Sequence, residues 1–279
     1  MNPTEVFAEE GVAHLPNALS SRTLALAEAA YEWSLAHPGP GASRLPNRSS
    51  GLFYQDLANP KAFAAYDALI RQPDILDCVR SVWRTDDVWF MYEQVFKKSG
   101  EETRRTPWHQ DTSYLPVMGQ DLVVMWMSFE PVDLAATLEF VAGSHQGPLY
   151  DGSNFDVSDD TAPLYGDGSM PRLPDIEADR SRFRILSWAT KPGDVVMFHP
   201  SVLHGGGATH GAQVRRTLSL RFFGEDAVIA ARPGRRRRLS EPVRSWRDRV
   251  NPDEHPLTRM REGAVGAPFR DPAFPRLSQ

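Results

Sequence analysis

Two residues spaced two positions apart, His109 and Asp111 in Trp108-His109-Gln110-Asp111, open the chemical reading of this chain. In extended backbone, positions i and i+2 point to one face, so an imidazole and a carboxylate can meet at one point. His-x-Asp alone is weak, because aspartates are common and chance matches outnumber metal sites. A second segment strengthens it. Lys191-Pro-Gly-Asp-Val-Val-Met-Phe-His199-Pro-Ser-Val-Leu-His204-Gly-Gly-Gly reads as a turn, a strand and a glycine-rich exit. His204 then sits where a strand ends against permissive backbone. Two histidines and one carboxylate on one face of a metal leave the opposite face open, as for ferrous iron in oxygenases. A structural zinc site would instead be closed by four protein ligands.

A third segment, Arg215-Arg216-Thr217-Leu218-Ser219-Leu220-Arg221-Phe222-Phe223, alternates. Arg215, Thr217, Ser219 and Arg221 share one face, and Leu218, Leu220 and Phe222 share the other. An inward arginine at the start of a barrel strand needs an anion, and a dicarboxylate held by a guanidinium fork would supply one. Thr217 or Ser219 could add a hydroxyl donor. On this pattern alone, a solvated arginine row on an edge strand is the plainer reading.

The elements that must position these groups divide the chain. The first third reads as mixed and largely helical. A polar N-terminal turn leads to a short strand at 11–16, and helical spacing follows over 21–35 with Ser20 or Ser21 as cap. His37-Pro-Gly-Pro-Gly ends that helix. Two more helices are expected over 61–70 and 74–83, with Pro60 and Pro73 near their starts. From Val88 onward, short apolar runs bounded by Gly, Pro or Asp predict strands over 88–97, 122–131, 138–141, 185–189, 195–199 and 217–223. Such a series indicates a sandwich or barrel. The polar stretch 147–184 reads as a functional or mobile insert, and the tail after Arg232 as surface wrapping.

Composition narrows the class. The chain has 279 residues, is 41% hydrophobic and carries a net charge of -5, which excludes a mainly disordered chain. No run approaches the roughly 18 apolar residues of a membrane span, and no basic stretch precedes an apolar core at the N-terminus, so a cytoplasmic protein is expected. The single cysteine, Cys78, excludes an internal disulfide and reads as a small buried hydrophobe. Residues 215–249 carry eleven arginines against four acids, including four arginines at 235–238. That run lacks aromatic interleaving and any nucleic-acid module, so no nucleic-acid partner is expected. A single domain over 1–279 is within the range of barrels and sandwiches.

At this point the residues resemble a known family, the phytanoyl-CoA dioxygenase (PhyH) family of Fe(II)- and 2-oxoglutarate-dependent oxygenases. The likeness rests on Thr106-Pro-Trp-His109-Gln-Asp111, Leu138-Glu-Phe-Val-Ala-Gly143-Ser-His145, Pro192-Gly-Asp-Val-Val-Met-Phe-His199 leading to His204-Gly, and Arg215-Arg-Thr-Leu-Ser. It runs over roughly residues 3–230. The resemblance implies a mostly β fold: a double-stranded β-helix, or jelly-roll, cupin-like barrel, with N-terminal helices outside. Residues 1–87 would be helical support, 88–230 the barrel with its insert at 147–184, and 231–279 a wrapping tail.

By the same resemblance His109, Asp111 and His204 bind Fe(II), and Arg215 holds the far carboxylate of 2-oxoglutarate, with O2 as the third reactant. Lys98 and Gln94 lie on the strand before the metal motif and are assigned, with Thr217 and Ser219, to the cosubstrate. His145 replaces no ligand, because the family motif does not use it on iron. His199 precedes Pro200, lacks the glycine-rich follow-up and ranks below His204. The presence of Asp111 points to hydroxylation rather than halogenation, since related halogenases lack the metal carboxylate. A small-molecule substrate is expected, anionic if Lys98, Arg104, Arg105 and Arg221 face the pocket, with Trp108, Tyr114 and Trp126 as apolar lining. The segments 147–184 and 43–54 are the expected lid. The alternative is a cupin-like protein that binds a metal or ligand without turnover.

Overall fold

The computed structural model describes residues 2–45, 51–83, 85–100, 102–211, 213–233 and 255–277. Four helices lie in the first third: α1 (Pro3–Glu10), α2 (Ser21–Ala36), α3 (Ala62–Ile70) and α4 (Pro73–Val82). The stretch before the first strand is thus a helix and not the expected polar turn. Its signal is local: Asn2 accepts from the Glu5 backbone N–H while the Glu5 carboxylate accepts from the Asn2 N–H. That reciprocal cap satisfies two otherwise unpaired donors and lets Phe7 be buried. In α2 the Ser20 hydroxyl caps Thr23 N–H at 3.2 Å, as its position predicts. Helix α4 buries Ile75, Cys78, Val79 and Val82, one stripe at helical spacing. None of these helices is long and apolar enough to cross a membrane.

The strands follow. In chain order they begin with β1 (Val12–Leu15), β2 (Ser43–Arg44), β3 (Leu52–Leu57), β4 (Trp89–Ser99), β5 (Glu102–Thr103) and β6 (Thr106–His109). Next come β7 (Val117–Met118), β8 (Leu122–Ser128), β9 (Leu138–Val141), β10 (Ile185–Ser187) and β11 (Val195–Phe198). The last are β12 (His204–Gly206), β13 (Thr209–His210), β14 (Val214–Phe223) and β15 (Val228–Ile229), before a short α5 (Pro256–Met260). Seven strands form one antiparallel sheet in the order β1-β11-β8-β14-β4-β3-β2, and four form a second, β10-β9-β12-β6.

The large sheet is buried on both faces, which explains why β8 reads as an unbroken apolar run. Val123, Met125 and Met127 pack with Leu218, Leu220 and Phe222 against Tyr31, Tyr66, Leu69 and Val79 of the helices. Val124 and Trp126 point the other way and meet Phe140, Val196 and Phe198 between the two sheets. Phe140 of the small sheet lies 5.1 Å from Phe198 of the large one, centroid to centroid. The small sheet therefore caps one half of the large sheet, and polar residues occupy the rest of that inner face.

Two expected lid segments differ. Residues 43–44 and 52–57 pair as β2 and β3 on the sheet edge, Ser43 opposite Gln55 and Phe53 opposite Lys98. The insert 147–184 has almost no regular structure but is anchored throughout. Asp151 accepts from Tyr165 and Gly166 N–H, and Arg104 binds the Phe155 and Asp156 carbonyls and the Asp160 carboxylate. The tail returns to the body through Phe269 and Phe274, which pack on Phe223 at 5.2 and 5.3 Å. The arginines at 235–238 lie outside the described residues.

One buried acid on β4 gives the fold a testable pH dependence. Glu93 is 3% exposed, and burial raises its carboxyl to about 8, although it accepts the Asn59 N–H at 2.9 Å. The folded chain thus keeps a proton that the unfolded chain releases above about 4.5. This stability is fully present below that value and is lost as pH rises toward 8. Glu93→Gln removes the slope. The difference in unfolding free energy between wild type and variant should change by about 3 kcal/mol between pH 5 and pH 8, measured by urea unfolding. Parallel curves would show that the carboxyl is already charged in the fold.

Candidate metal centre

Cross-strand register brings the two histidines together. β12 pairs antiparallel with β6, and His204 lies directly opposite His109. Directly opposed residues share a face of the sheet, so both imidazoles project inward with ring centroids 4.2 Å apart. β6 ends at His109, and the chain turns into a single 3-10 turn starting at Asp111. That turn swings the carboxylate back toward the histidines. Asp111 Oδ1 lies 3.5 Å from His109 Nε2 and 3.9 Å from His204 Nε2.

The three side chains offer one donor atom each, all within 4.8 Å of one another, and form the one such group among the described residues. His109 Nδ1 lies 2.8 Å from the Pro107 carbonyl and His204 Nδ1 lies 2.9 Å from that of Val202. A carbonyl can only accept, so each Nδ1 donates to it and Nε2 is the ring nitrogen left to face the site. Burial, reinforced by the His109 imidazole, pushes His204 down to about 3, so it is neutral at pH 7. Burial would raise the Asp111 carboxyl, but the Arg221 guanidinium, with both histidines, holds it well below the usual carboxylate range. Two imidazoles and one ionised carboxylate on one face are the donor set that suits ferrous iron with open positions.

A second group lies on the same inner face. Lys98 of β4 stands opposite Arg215 of β14, and the two are 0% and 5% exposed. Lys98 donates to the Arg104 and Gly207 carbonyls at 2.8 and 3.1 Å, and Arg215 donates to the Ala136 and Gly207 carbonyls. No carboxylate pairs with either among the described residues, and Arg215 Nε is buried without a partner. Burial lowers Lys98 well below its ordinary range, with Arg215, Arg105 and Arg104 adding to the effect, and lowers Arg215 to about 10. Two buried basic side chains sharing one carbonyl acceptor, with no carboxylate at hand, are stabilised by an anion. Gly207 makes the approach possible, since a Cβ there would stand 2.2 Å from the Ala135 carbonyl oxygen.

The other expected site residues separate. Thr217 and Ser219 are buried on the Arg215 face, opposite Phe96 and Gln94. Gln94 donates to Gln55 at 3.2 Å and accepts from Arg221 at 2.6 Å. Tyr114 stands beside His109, ring centroids 6.1 Å apart, with its hydroxyl on the Ser153 carbonyl. Trp108 faces away from His109, because neighbours on a strand alternate. It packs with Leu173 and Ile176 of the insert and donates to Glu177 at 2.7 Å. Trp126 is packed between the sheets, 3% exposed. Arg104 is engaged by Asp160, Arg105 by Glu139 at 2.7 Å, and Arg221 by Asp111 at 2.7 Å. Of the four cations named for an anionic substrate, Arg104, Arg105 and Arg221 thus have carboxylate partners inside the protein, and Lys98 has carbonyl partners. His145 and His199 lie 5.5 Å apart, ring to ring, outside the triad, and His199 is tied to the Gly119 carbonyl at 3.1 Å.

Sequence reasoning missed Phe155. Its ring stands edge-on to His109, centroids 5.5 Å apart, with φ at +56°, a region that a bulky side chain rarely occupies. No local signal in the insert marks it. Under the same insert lies a cavity of about 510 Å³ lined by Trp108, Arg104, Glu102, Asp160 and Glu177 among others, with none of the three triad residues in its wall.

Comparison with known proteins places the chain in a family and a fold. The phytanoyl-CoA dioxygenase (PhyH) family matches residues 7–217. The peroxisomal phytanoyl-CoA dioxygenase of Homo sapiens is 27% identical over 180 residues, 62% of this chain and 49% of that protein. The chain therefore spans about half the length of the curated relatives it matches. Among solved structures, the carbocyclase SnoK from nogalamycin biosynthesis superposes with a TM-score of 0.68 at 18% identity, covering 99% of this chain and 95% of that one. The epimerase SnoN, in complex with Fe3+, alpha-ketoglutarate and nogalamycin RO, gives 0.66 at 17% identity, covering 98% and 96%. At these identities the likeness establishes a shared fold.

The insert's anchorage predicts its own failure. Arg104→Ala removes the clamp on the Phe155 and Asp156 carbonyls and the Asp160 carboxylate, so the backbone near residue 155 should become the first site of limited proteolysis. Opening should rise by about tenfold, since charge-assisted bonds of this kind contribute roughly 1.5–3 kcal/mol before exposure is discounted. An unchanged cleavage pattern would show that the Asp151 turn alone holds the insert.

Proposed function

The chain belongs to the phytanoyl-CoA dioxygenase (PhyH) family, and from that premise we propose that it is an Fe(II)- and 2-oxoglutarate-dependent dioxygenase that oxidises a C–H bond of a small molecule. The observation that carries the reading is the convergence of His109, Asp111 and His204 beside the buried Lys98–Arg215 pair. In this reading the two sheets are the halves of a double-stranded β-helix. The described residues up to 83 brace it, those of 88–230 form it, 147–184 cover its mouth, and 255–277 pack back on it as part of one domain.

The residues present fit the cofactors. His109 Nε2, His204 Nε2 and Asp111 Oδ1 would hold the metal, since both Nδ1 atoms are already committed to carbonyls. When bound, iron and 2-oxoglutarate supply the oxidant: O2 cleavage coupled to decarboxylation of the oxoacid to succinate and CO2 delivers one oxygen atom to the substrate. The chain's own part is placement. The far carboxylate of 2-oxoglutarate would supply the anion that the buried Arg215 and Lys98 lack among the described residues. Thr217 and Ser219, one and two alternations along the same face, line the approach. Phe198 and Phe140 pack on His204 at 4.7 and 6.0 Å and exclude water from its side of the site. Phe155 and Tyr114 wall the other side, next to His109, and present an apolar surface to a substrate. Asp111 supplies the third protein ligand, which supports hydroxylation over halogenation.

Anaerobic addition of Fe(II) and 2-oxoglutarate should produce the weak visible charge-transfer band of the chelate. Its absence from wild type would sink this reading. Asp111→Ala combined with His204→Ala should abolish the band. Arg215→Ala should weaken 2-oxoglutarate by about 100-fold while leaving Mn(II) affinity within a few-fold, because it removes one partner of a buried charge pair and no metal ligand. Equal 2-oxoglutarate affinity would move the anion site elsewhere. A band without succinate, even on prolonged aeration, would favour the non-catalytic ligand-binding alternative.

A further inference from the structure

Arg221 is 4% exposed, on the inner face of β14. Its Nη2 donates to Asp111 Oδ2 at 2.7 Å and to Gln94 Oε1 at 2.6 Å. Gln94 is fixed in turn by its own donation to Gln55 at 3.2 Å. The guanidinium carbon lies 4.7 Å from the centre of the Tyr92 ring. Asp111 is the one carboxylate within ion-pair distance of Arg221 among the described residues. The buried cation and the carboxylate are thus each other's partner, and a relay of side chains from β3, β4 and β14 fixes where they meet.

The two oxygens of Asp111 consequently do different things. Oδ2 is turned to the guanidinium, while Oδ1 faces the histidines at 3.5 and 3.9 Å. Turning both oxygens to a metal would leave a buried guanidinium without its anion. We propose that Arg221 is a positioning residue that restricts Asp111 to single-oxygen ligation, keeping three metal positions open for the two 2-oxoglutarate donors and O2. This rests on the metal reading of the preceding section and goes beyond it. It moves Arg221 and Gln94 from substrate and cosubstrate contact to orientation of the metal carboxylate. Freed from Arg221, Asp111 would close over a metal with both oxygens and compete for a position that 2-oxoglutarate needs.

The experiment uses the full chain and two readouts that need no turnover. Mn(II) is titrated calorimetrically into wild type, Arg221→Met, Arg221→Lys and Gln94→Leu, each with and without 2-oxoglutarate. The Fe(II)–2-oxoglutarate band is then recorded anaerobically for each. Arg221→Met should change Mn(II) affinity by about 10–100-fold, abolish most of the gain that 2-oxoglutarate brings, and shift or erase the band. Arg221→Lys, which keeps one donor for Oδ2, should recover most of the affinity and the band position. Gln94→Leu, which loosens the relay and keeps the ion pair, should shift Mn(II) affinity in the same direction as Arg221→Met, by about threefold or more.

A folded Arg221→Met protein with wild-type Mn(II) affinity and an unshifted band overturns the proposal, as does a loss confined to thermal stability. If neither Arg221 variant folds, Gln94→Leu decides, and unchanged affinity and band overturn it. Wild type that binds no Mn(II) and shows no band brings down the oxygenase reading and this one with it. Wild-type binding with an indifferent Arg221 brings down this one alone.

Discussion

One strand must satisfy two incompatible surroundings, and the site follows from how it does so. β14 lies in the middle of the large sheet, hydrogen-bonded on both edges to β4 and β8. Its Leu218, Leu220 and Phe222 bury against the helices, which fixes the side-chain phase by the apolar area removed from water. A one-residue slip would put Arg215 and Arg221 into that apolar layer at the cost of unpaired buried charge. Given that phase, Arg215, Thr217, Ser219 and Arg221 have no other direction than inward. The helices are therefore part of the chemistry: they do not touch the site, but they hold the strand that does.

The inner face then has to accommodate its charges. It does so in two ways. At one end, Arg221 meets Asp111, and the pair is closed within the protein. At the other, Lys98 and Arg215 have carbonyl partners, with the Phe53 ring beside Lys98, and no carboxylate among the described residues. Basic groups whose desolvation has already been met by folding pair with an anion at little reorganisation cost. Between these ends stand two imidazoles whose Nδ1 atoms are held by backbone carbonyls, which turns both Nε2 atoms toward Asp111. Along one strand face the order is thus a basic residue with carbonyl partners, two buried hydroxyls, and a basic residue paired with Asp111.

Periodicity carried much of the architecture. The run at 138–141 coincides with β9, and Ser20 caps α2 as its type and position require. The expected strand at 217–223 begins earlier, at Val214, because β4 pairs with it as far as Ser99 and extends it beyond its own apolar segment. β3 was not legible, since Leu52-Phe-Tyr-Gln-Asp-Leu alternates poorly and is a strand only because β4 offers it an edge. Helix α1 was legible in principle through Asn2 and Glu5, but eight residues are too few for apolar spacing to announce it.

The sequence by itself determined the donor types: two histidines, one aspartate two positions from the first, a glycine-rich exit behind the second, and arginines in alternate phase on one strand. Spacing along a chain can specify such things because strand and turn geometry are local. Tertiary structure alone decided that His204 stands opposite His109, since that is a register between strands far apart in sequence. It also decided that Trp108 serves the outer face and Phe155 the inner one, and that Arg221 belongs to Asp111. A buried charge takes whichever opposite charge the fold brings within reach, and no local pattern records which that will be.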